Sequence, residues 1–404
     1  MGKAILFPPD FLWGTATSAY QVEGENRWSD WSEWETKRQL AHCDQAIRHY
    51  EFFQADFALA KSLGQNAHRL SLEWGRLEPV EGQWDERAIE HYRQVLNCLK
   101  QLGFTVCLTL NHFTLPTWLA RQGGWESPQA LEYFQRYIAF VVSEYGHWVD
   151  LWVTLNEPLV LATQGYWYGH WPPGVRSHGR MRRVTERLLH AHKLAYQIIH
   201  GVTPHARVGL THNVLSLVPH RAWWGDRWAT RWAERFWNQR VMDKAAKHSD
   251  FLGVNYYFHQ RVKLWPSRRW GLVSFVDPRS LGREVSGLGW EVYPYGLTNV
   301  LVGLGQRYSL PLYVTENGIA TDNEEQRLSF VTRSVRAVQA ALAAGAPVLG
   351  YFYWSLLDNF EWDKGFGPKF GLVAVDRQTL ARTPRPAAVA YAEVCRSSEL
   401  SRSR

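Results

Sequence analysis

Cysteine is scarce, and long apolar runs are missing. The four cysteines, Cys43, Cys98, Cys107 and Cys395, show no paired spacing of the kind a disulfide framework or a metal knuckle would leave. Cys98 falls on a predicted helix and Cys107 in a predicted strand, so buried thiols are expected. The stretch Met1 to Pro9 lacks the apolar core of a signal peptide. No segment reaches the length of a membrane-crossing helix. A cytoplasmic, reduced protein with no membrane partner is therefore expected. No linker, repeat or low-complexity tract cuts the 404 residues, which read as one domain over 1–404.

Charge of one sign is in slight excess, with a formal net charge of +7. Basic residues gather in Arg176–Arg187, Arg221–Arg240 and Arg261–Arg269, but acids and tryptophans interrupt them. No nucleic-acid module signature accompanies them, so they read as solvated surface rather than a nucleic-acid site. What is abundant is tryptophan, 22 residues. Indole faces stack on the C–H faces of sugar rings, which makes the count suggestive of a carbohydrate site, although many of the 22 belong to an ordinary core.

Apolar runs and helical patterns alternate along the chain. Strands are predicted at Phe11–Thr17, Ala67–Trp74, Thr105–Leu110, Asp150–Leu155, Arg207–Thr211, Asp250–Tyr256, Pro311–Thr315 and Val348–Trp354. Helices are predicted between them. Asp44–Leu63 has Asp44 as N-cap, and Asp85–Leu102 has an apolar face of Ile89, Tyr92, Val95, Leu96 and Leu99. A third starts at Ser127-Pro128 and ends at Tyr145, followed by Thr185–His200, Asp226–Lys247, Pro294–Tyr308, Asn323–Ala344 and Arg385–Cys395. Strict alternation of this kind closes most naturally into a single (β/α)8 TIM barrel, α/β in class, with its active site at the C-terminal face of the strands. The longer segments Val22–Cys43, Thr163–Arg183, Phe258–Trp290 and Leu356–Pro384 then lie on that face. Trp28, Trp31 and Trp34 in the first of them are expected to form a substrate-side wall.

Two of these strands deliver a glutamate at their C-terminal end. Leu151-Trp152-Val153-Thr154-Leu155-Asn156-Glu157-Pro158 ends strand four, and Leu312-Tyr313-Val314-Thr315-Glu316-Asn317-Gly318 ends strand seven. Two carboxyls facing across a sugar-sized gap are what glycoside hydrolysis requires. A separation of about 5–5.5 Å gives retention and a wider one gives inversion. Other polar or aromatic residues collect at strand ends: Gln21, Arg69, His112, Asn255 with Tyr256 and Tyr257, and Trp354 with Glu361 and Trp362. A pyranose needs such a ring of donors and acceptors over an aromatic floor.

With these motifs in order, the chain resembles the family 1 glycoside hydrolases, of β-glucosidase and β-galactosidase type. The resemblance runs from Phe7-Pro8-Pro9-Asp10-Phe11-Leu12-Trp13-Gly14 and Ser18-Ala19-Tyr20-Gln21-Val22-Glu23-Gly24 to Trp354-Ser355-Leu356-Leu357-Asp358-Asn359-Phe360-Glu361-Trp362. It implies Glu316 as nucleophile and Glu157 as acid/base. Arg69, Tyr257 and Asn255 would support the nucleophile, and Asn156 would hold the sugar 2-hydroxyl. Gln21, His112, Glu361 and Trp362 would bind the remaining hydroxyls, with Trp354 as floor and Phe370 lining the site. It implies no metal and no organic cofactor, and a small β-glycoside or oligosaccharide as the molecule bound. A transglycosidase and a non-catalytic sugar-binding barrel are the alternatives.

The chain departs from the family pattern in three places. Asn111-His112-Phe113 has phenylalanine where many relatives have tryptophan, which removes an indole N–H. The stretches after Gly24 and between Asn238 and Asp250 are short, which would open the aglycone side. Glu361-Trp362 and Lys369-Phe370 stand where relatives acting on 6-phosphorylated sugars carry a phosphate-binding set, so phosphoglycosides are not expected.

Overall fold

The structure, a computed structural model, describes residues 7–267 and 270–397. Met1–Leu6, read above for a leader, and Arg268 and Arg269 of the third basic cluster lie outside the described residues.

Eight parallel strands close into a barrel. They are β1 (Leu12–Ala16), β2 (Ala67–Ser71), β3 (Thr105–Asn111), β4 (Leu151–Asn156), β5 (Arg207–Asn213), β6 (Phe251–Tyr256), β7 (Leu312–Asn317) and β8 (Val348–Trp354). Each pairs with the next in the chain, and β8 closes on β1 in the register Leu12↔Gly350 to Ala16↔Trp354. Strands such as β4 and β7 are buried along their whole length, because helices cover one face and the barrel interior the other. That is why they read as continuous apolar runs rather than alternating ones.

The outer helices are α1 (His49–Ser62), α2 (Glu86–Gln101), α3 (Ala130–Tyr145), α4 (His178–Val202), α5 (Trp224–Glu234), α6 (Tyr295–Tyr308), α7 (Glu324–Ala343) and α8 (Pro386–Ser397). Helix α2 follows the predicted logic. The Asp85 carboxylate accepts from the Arg87 and Ala88 amides, and Ile89, Tyr92, Val95, Leu96 and Leu99 are buried. Other starts differ from expectation. Asp44 does not cap α1: Asp44, Ala46 and Arg48 all take left-handed backbone, so the chain winds tightly before the helix opens at His49. Ser127 does not cap α3 either. Its carbonyl accepts from the Ala130 amide, and the helix begins there. Helix α4 starts seven residues ahead of Thr185, at His178, where the Ser177 hydroxyl accepts from the Arg180 amide. The predicted Asp226–Lys247 helix is α5 continuing through a wider turn, Arg235–Gln239, into Arg240–Ala245.

One feature of the loops was not expected. Ser216–Pro219, His259–Ser267 and Gly271–Phe275 form a separate three-stranded sheet against α5. All four cysteines are free, three of them buried. No helix among the described residues is long and apolar enough to cross a membrane.

Barrel closure leaves no room at Gly14. A Cβ there would stand 2.4 Å from the Ala67 carbonyl oxygen and 2.8 Å from the Phe352 ring. Gly14→Ala is expected to destabilise the fold by about 1–3 kcal/mol through overpacking, read as a lower urea midpoint at unchanged slope.

Candidate active site

The C-terminal ends of the strands surround a cavity of about 390 Å³. Ten of the twelve residues singled out from the sequence line it: Gln21, His112, Asn156, Glu157, Tyr257, Glu316, Trp354, Glu361, Trp362 and Phe370. Arg69 and Asn255 sit beneath the floor, fully buried, and hold the others.

The strand ends explain this convergence. Glu316 is the penultimate residue of β7. Glu157 is the first residue past β4 and takes left-handed backbone, φ 46°, before Pro158 opens a short helix. Asn156 closes β4, and Asn255 is the penultimate residue of β6. Arg69 reaches in from β2, donating to Glu316 Oε1 at 2.5 Å, to Asn156 Oδ1 at 2.7 Å, to Thr109 Oγ1 at 3.1 Å and to the Thr315 carbonyl at 3.2 Å. The Tyr257 hydroxyl donates to Glu316 Oε2 at 2.8 Å. Glu316 is therefore gripped at both oxygens, one grip being a buried cation.

Glu157 is treated differently. Its Oε1 accepts from the amides of Asn255 at 2.7 Å and Asn213 at 3.2 Å, both neutral. Asn255, expected beside the nucleophile, thus acts chiefly on Glu157, with a smaller hydrogen-bond contribution at Glu316. Burial pushes both carboxyls up, an effect that the Arg69 cation alone does not cancel at Glu316. At Glu316 the Arg69 charge and the Tyr257 hydroxyl work against burial. At Glu157 the negative charge of Glu316 adds to burial, and the group moves to about 8. Where the two compete for one proton, Glu157 holds it and Glu316 is the anion.

A third carboxyl, that of the half-buried Glu361, is also raised to about 8, first by loss of solvation and then by the charges of Glu316, Asp363 and Glu157. The Gln21 amide donates to the Phe360 carbonyl at 2.7 Å and, more weakly, to Glu361 at 3.4 Å, while its oxygen accepts from Ser18 at 2.6 Å. Asn156 accepts from Arg69 through its oxygen, so its nitrogen donates to His112 Nε2 at 3.3 Å. His112 then carries its proton on Nδ1, which has no partner among the described residues. Burial and Arg69 keep that ring neutral. The aromatic floor is ordered: His112 lies parallel to Trp354 at 5.8 Å and to Trp362 at 6.3 Å.

The tryptophans expected as a wall do not line this cavity. Trp31 and Trp34 are buried, and Trp31 packs behind Trp362 at 4.7 Å. Trp28 is on the surface. The wall is built by Trp171, Trp237 and Trp290, with Asn213 between them and Glu157, none of which was picked out from the sequence. Asn213 satisfies the same criterion as Asn156 and Asn255, a polar residue in the last two positions of a barrel strand. It was missed because β5 was ended two residues early, at Thr211. Phe113 lines the cavity in left-handed backbone and packs on Trp171 at 5.0 Å and on Trp362 at 5.4 Å. No group of acids, histidines or cysteines spaced to hold a metal ion occurs among the described residues.

The profile of Glycosyl hydrolase family 1 matches residues 3–246 and 231–400. The chain belongs to that family. It is 30% identical over 446 aligned positions to β-glucosidase A of Thermotoga maritima, covering 98% of each chain. It is 32% identical to a chloroplastic galactolipid galactosyltransferase of Arabidopsis thaliana, covering 89% of this chain and 60% of that one. Among solved structures, the β-glycosidase from Pyrococcus horikoshii superposes with a TM-score of 0.92 at 37% identity, covering 99% of this chain and 97% of the other. The chain is a glycoside hydrolase of this family, built on the barrel its members share.

The asymmetric grip on Glu316 can be tested directly. Tyr257→Phe removes one donor to a charged carboxylate, and kcat/KM is expected to fall about 10- to 100-fold. Because that donor favours the ionised form, the acid limb of the pH profile moves to higher pH in the variant, which separates lost support of Glu316 from general damage.

Proposed function

We propose that the chain is a retaining exo-β-glycosidase. It cleaves terminal non-reducing β-D-glucosyl residues, with galactosyl and fucosyl side activity, and works as one catalytic barrel over 1–404. The observation that carries this reading is the unequal environment of the two carboxyls. Glu316 has a buried cation and a tyrosine hydroxyl on its oxygens, whereas Glu157 has only amide donors and is raised to about 8. One carboxyl is thereby held as a nucleophile and the other as a proton donor. The names of the relatives, β-glucosidases among them, support the glucosyl preference.

The reaction follows from that division. Protonated Glu157 donates to the glycosidic oxygen as Glu316 attacks the anomeric carbon, and the aglycone leaves as a neutral alcohol. The glycosyl ester removes the charge of Glu316, so one of the two causes raising Glu157 disappears. Its pKa falls, and it accepts a proton from the water that opens the ester. Two inversions restore the β configuration. Asn156 would take the sugar 2-hydroxyl, and Gln21, His112, Glu361 and Trp362 the others, over the Trp354 floor, a reading supported by their all lining the one cavity. A transglycosidase reading, in which a sugar replaces that water, is favoured by the likeness to the galactosyltransferase.

The test is chemical rescue on an activated aryl β-glucoside. Glu316→Gly is expected to be inactive and to yield the α-glucosyl azide when azide is supplied. Glu157→Ala with azide yields the β-glucosyl azide. Rescue with the opposite stereochemistry, or none from either variant of an active wild type, removes the assignment.

The pH profile gives a second check. Glu157 must be protonated, so activity is expected to decline as pH rises through about 8. It declines again at low pH as Glu316 becomes protonated. Glu157→Gln flattens the alkaline limb for an activated leaving group, whereas Glu361→Gln leaves it in place.

A further inference from the structure

The arginines of the stretch Arg221–Arg240 take no part in the catalytic cavity, yet α5 and the wider turn after it set them in order. One side of α5 is covered. Ala229 and Ala233 are buried in a cluster with Val262 and Val273 of the small sheet. The two acids of the helix are withdrawn from solvent as well. Asp226 is buried and paired with Arg221, and Glu234 is half-buried and accepts from the Asn238 amide at 2.8 Å.

The outward side carries two rows. Trp224, Trp228 and Trp232 follow at intervals of four residues and are 69%, 47% and 37% exposed. Arg227, Arg231 and Arg235 repeat at the same interval, each three residues after a tryptophan, and all are exposed. Residues three and four apart are neighbours on a helix, so the rows run side by side. Arg221 is paired, whereas no ion pair among the described residues involves Arg227, Arg231 or Arg235. Trp223, 5.1 Å from Trp224, adds a further exposed indole at one end. At the other end Trp232 stacks on Phe236 at 5.4 Å and 7°, and the next residue, Trp237, lines the catalytic cavity. The face therefore ends at the mouth of the barrel.

Single surface indoles are ordinary, but a row of them is an apolar face in water. Its occupant has to cover indoles and neutralise cations together. An anionic lipid bilayer does both, because indoles settle at the level of the headgroups while guanidiniums bond the lipid phosphates and carboxylates. A neutral polysaccharide would stack on the indoles and leave the arginines uncompensated. A nucleic-acid duplex would compensate the arginines and offer the indoles no apolar layer. Two copies of the chain placed face to face would set arginines against arginines.

We propose that this face docks the chain on an anionic lipid surface, with the mouth of the barrel held beside the headgroups. No helix among the described residues is built to cross a membrane, but a chain lying on one needs no such helix. Docking of this kind is independent of the glycosidase reading.

The test is co-sedimentation of the full chain with vesicles. One set is phosphatidylcholine alone and the other contains about one-third phosphatidylserine, each at low salt and at about 1 M salt, where the screening length falls to about 3 Å. Wild type is expected to bind the anionic vesicles at least about tenfold more tightly than the neutral ones, and to lose most of that preference in high salt. The pair Arg227→Gln with Arg231→Gln, and the pair Trp224→Ser with Trp228→Ser, are each expected to weaken binding about tenfold. The urea midpoint stays where it is in both, since all four side chains lie on the surface. Should the tryptophan pair lower the midpoint, Trp224→Ser alone, at the most exposed position of the row, is read by the same criterion. Failure of wild type to bind anionic vesicles overturns the docking face. So does equal binding to both kinds of vesicle, or binding that neither pair weakens, because another surface is then in use. Retention on RNA or on cellulose that exceeds retention on vesicles, and that the same substitutions abolish, assigns the face to nucleic acid or polysaccharide instead. A concentration-dependent dimer that the tryptophan pair dissolves assigns it to a second copy of the chain.

Discussion

The site depends on one buried cation. Arg69 is inside the barrel, and its guanidinium is spent on four acceptors from β3, β4 and β7: Thr109, Asn156, the Thr315 carbonyl and Glu316. An ion so far from water is tolerated only when its donors are filled and its charge is matched. Glu316 supplies the match. Removing either partner would strand the other, at a cost on the order of 3–5 kcal/mol. The Glu316 carboxylate is therefore part of what holds the strand ends together.

Everything that distinguishes the two glutamates follows from which of them that cation touches. Burial alone would raise both and leave two poor nucleophiles. Arg69 and Tyr257 hold Glu316 as an anion, and that anion keeps the proton on Glu157. Asn156 and Asn255 link the two halves. Asn255 donates to Glu157 Oε1 and to Asn156 Oδ1, which also accepts from Arg69. A displacement of Arg69 would thus reach the proton donor through two amides, without any direct contact between Arg69 and Glu157.

How much of this could be read from the sequence follows from the range of each interaction. Barrel strands announce themselves locally, as apolar runs ending in polar residues, and Glu157, Glu316, Asn156 and His112 stand at those ends. Arg69 was legible for the same reason, but its partners were not, since they come from three other strands. Asn213 was lost to a two-residue error in a strand boundary. The tryptophans failed for a different reason. Trp31 and Trp34 are buried on a short helix, where Trp31 packs behind Trp362, whereas Trp171 and Trp290 reach the cavity from separate loops and Trp237 from the wider turn after α5. Nothing in the local pattern of a loop tells an indole that backs a wall from one that forms it. The tight winding through Asp44 and Arg48, which delays α1, is held by contacts that local sequence does not show, among them the Arg382 guanidinium on the Ile47 carbonyl and the Glu25 amide on the Asp44 carbonyl.

The division of the cavity into a polar and an apolar end bears on what the chain can discriminate. At the polar end the Phe113 ring offers no donor, and the neighbouring Trp171 supplies none either, because its N–H is committed to Asp363 at 3.1 Å. Discrimination between sugar epimers comes from hydrogen bonds that are left unmade with the wrong one, whereas apolar contacts discriminate weakly. A polar end that takes no donor from Phe113 or Trp171, beside a wall of bare rings such as Trp237, therefore favours tolerance toward the sugar. The same arrangement lets binding away from the reacting bond contribute to its cleavage, provided it draws the anomeric carbon toward Glu316. Trp237 is suited to that, since one hydrogen bond ties its ring to Asn213 and a second ties Asn213 to Glu157.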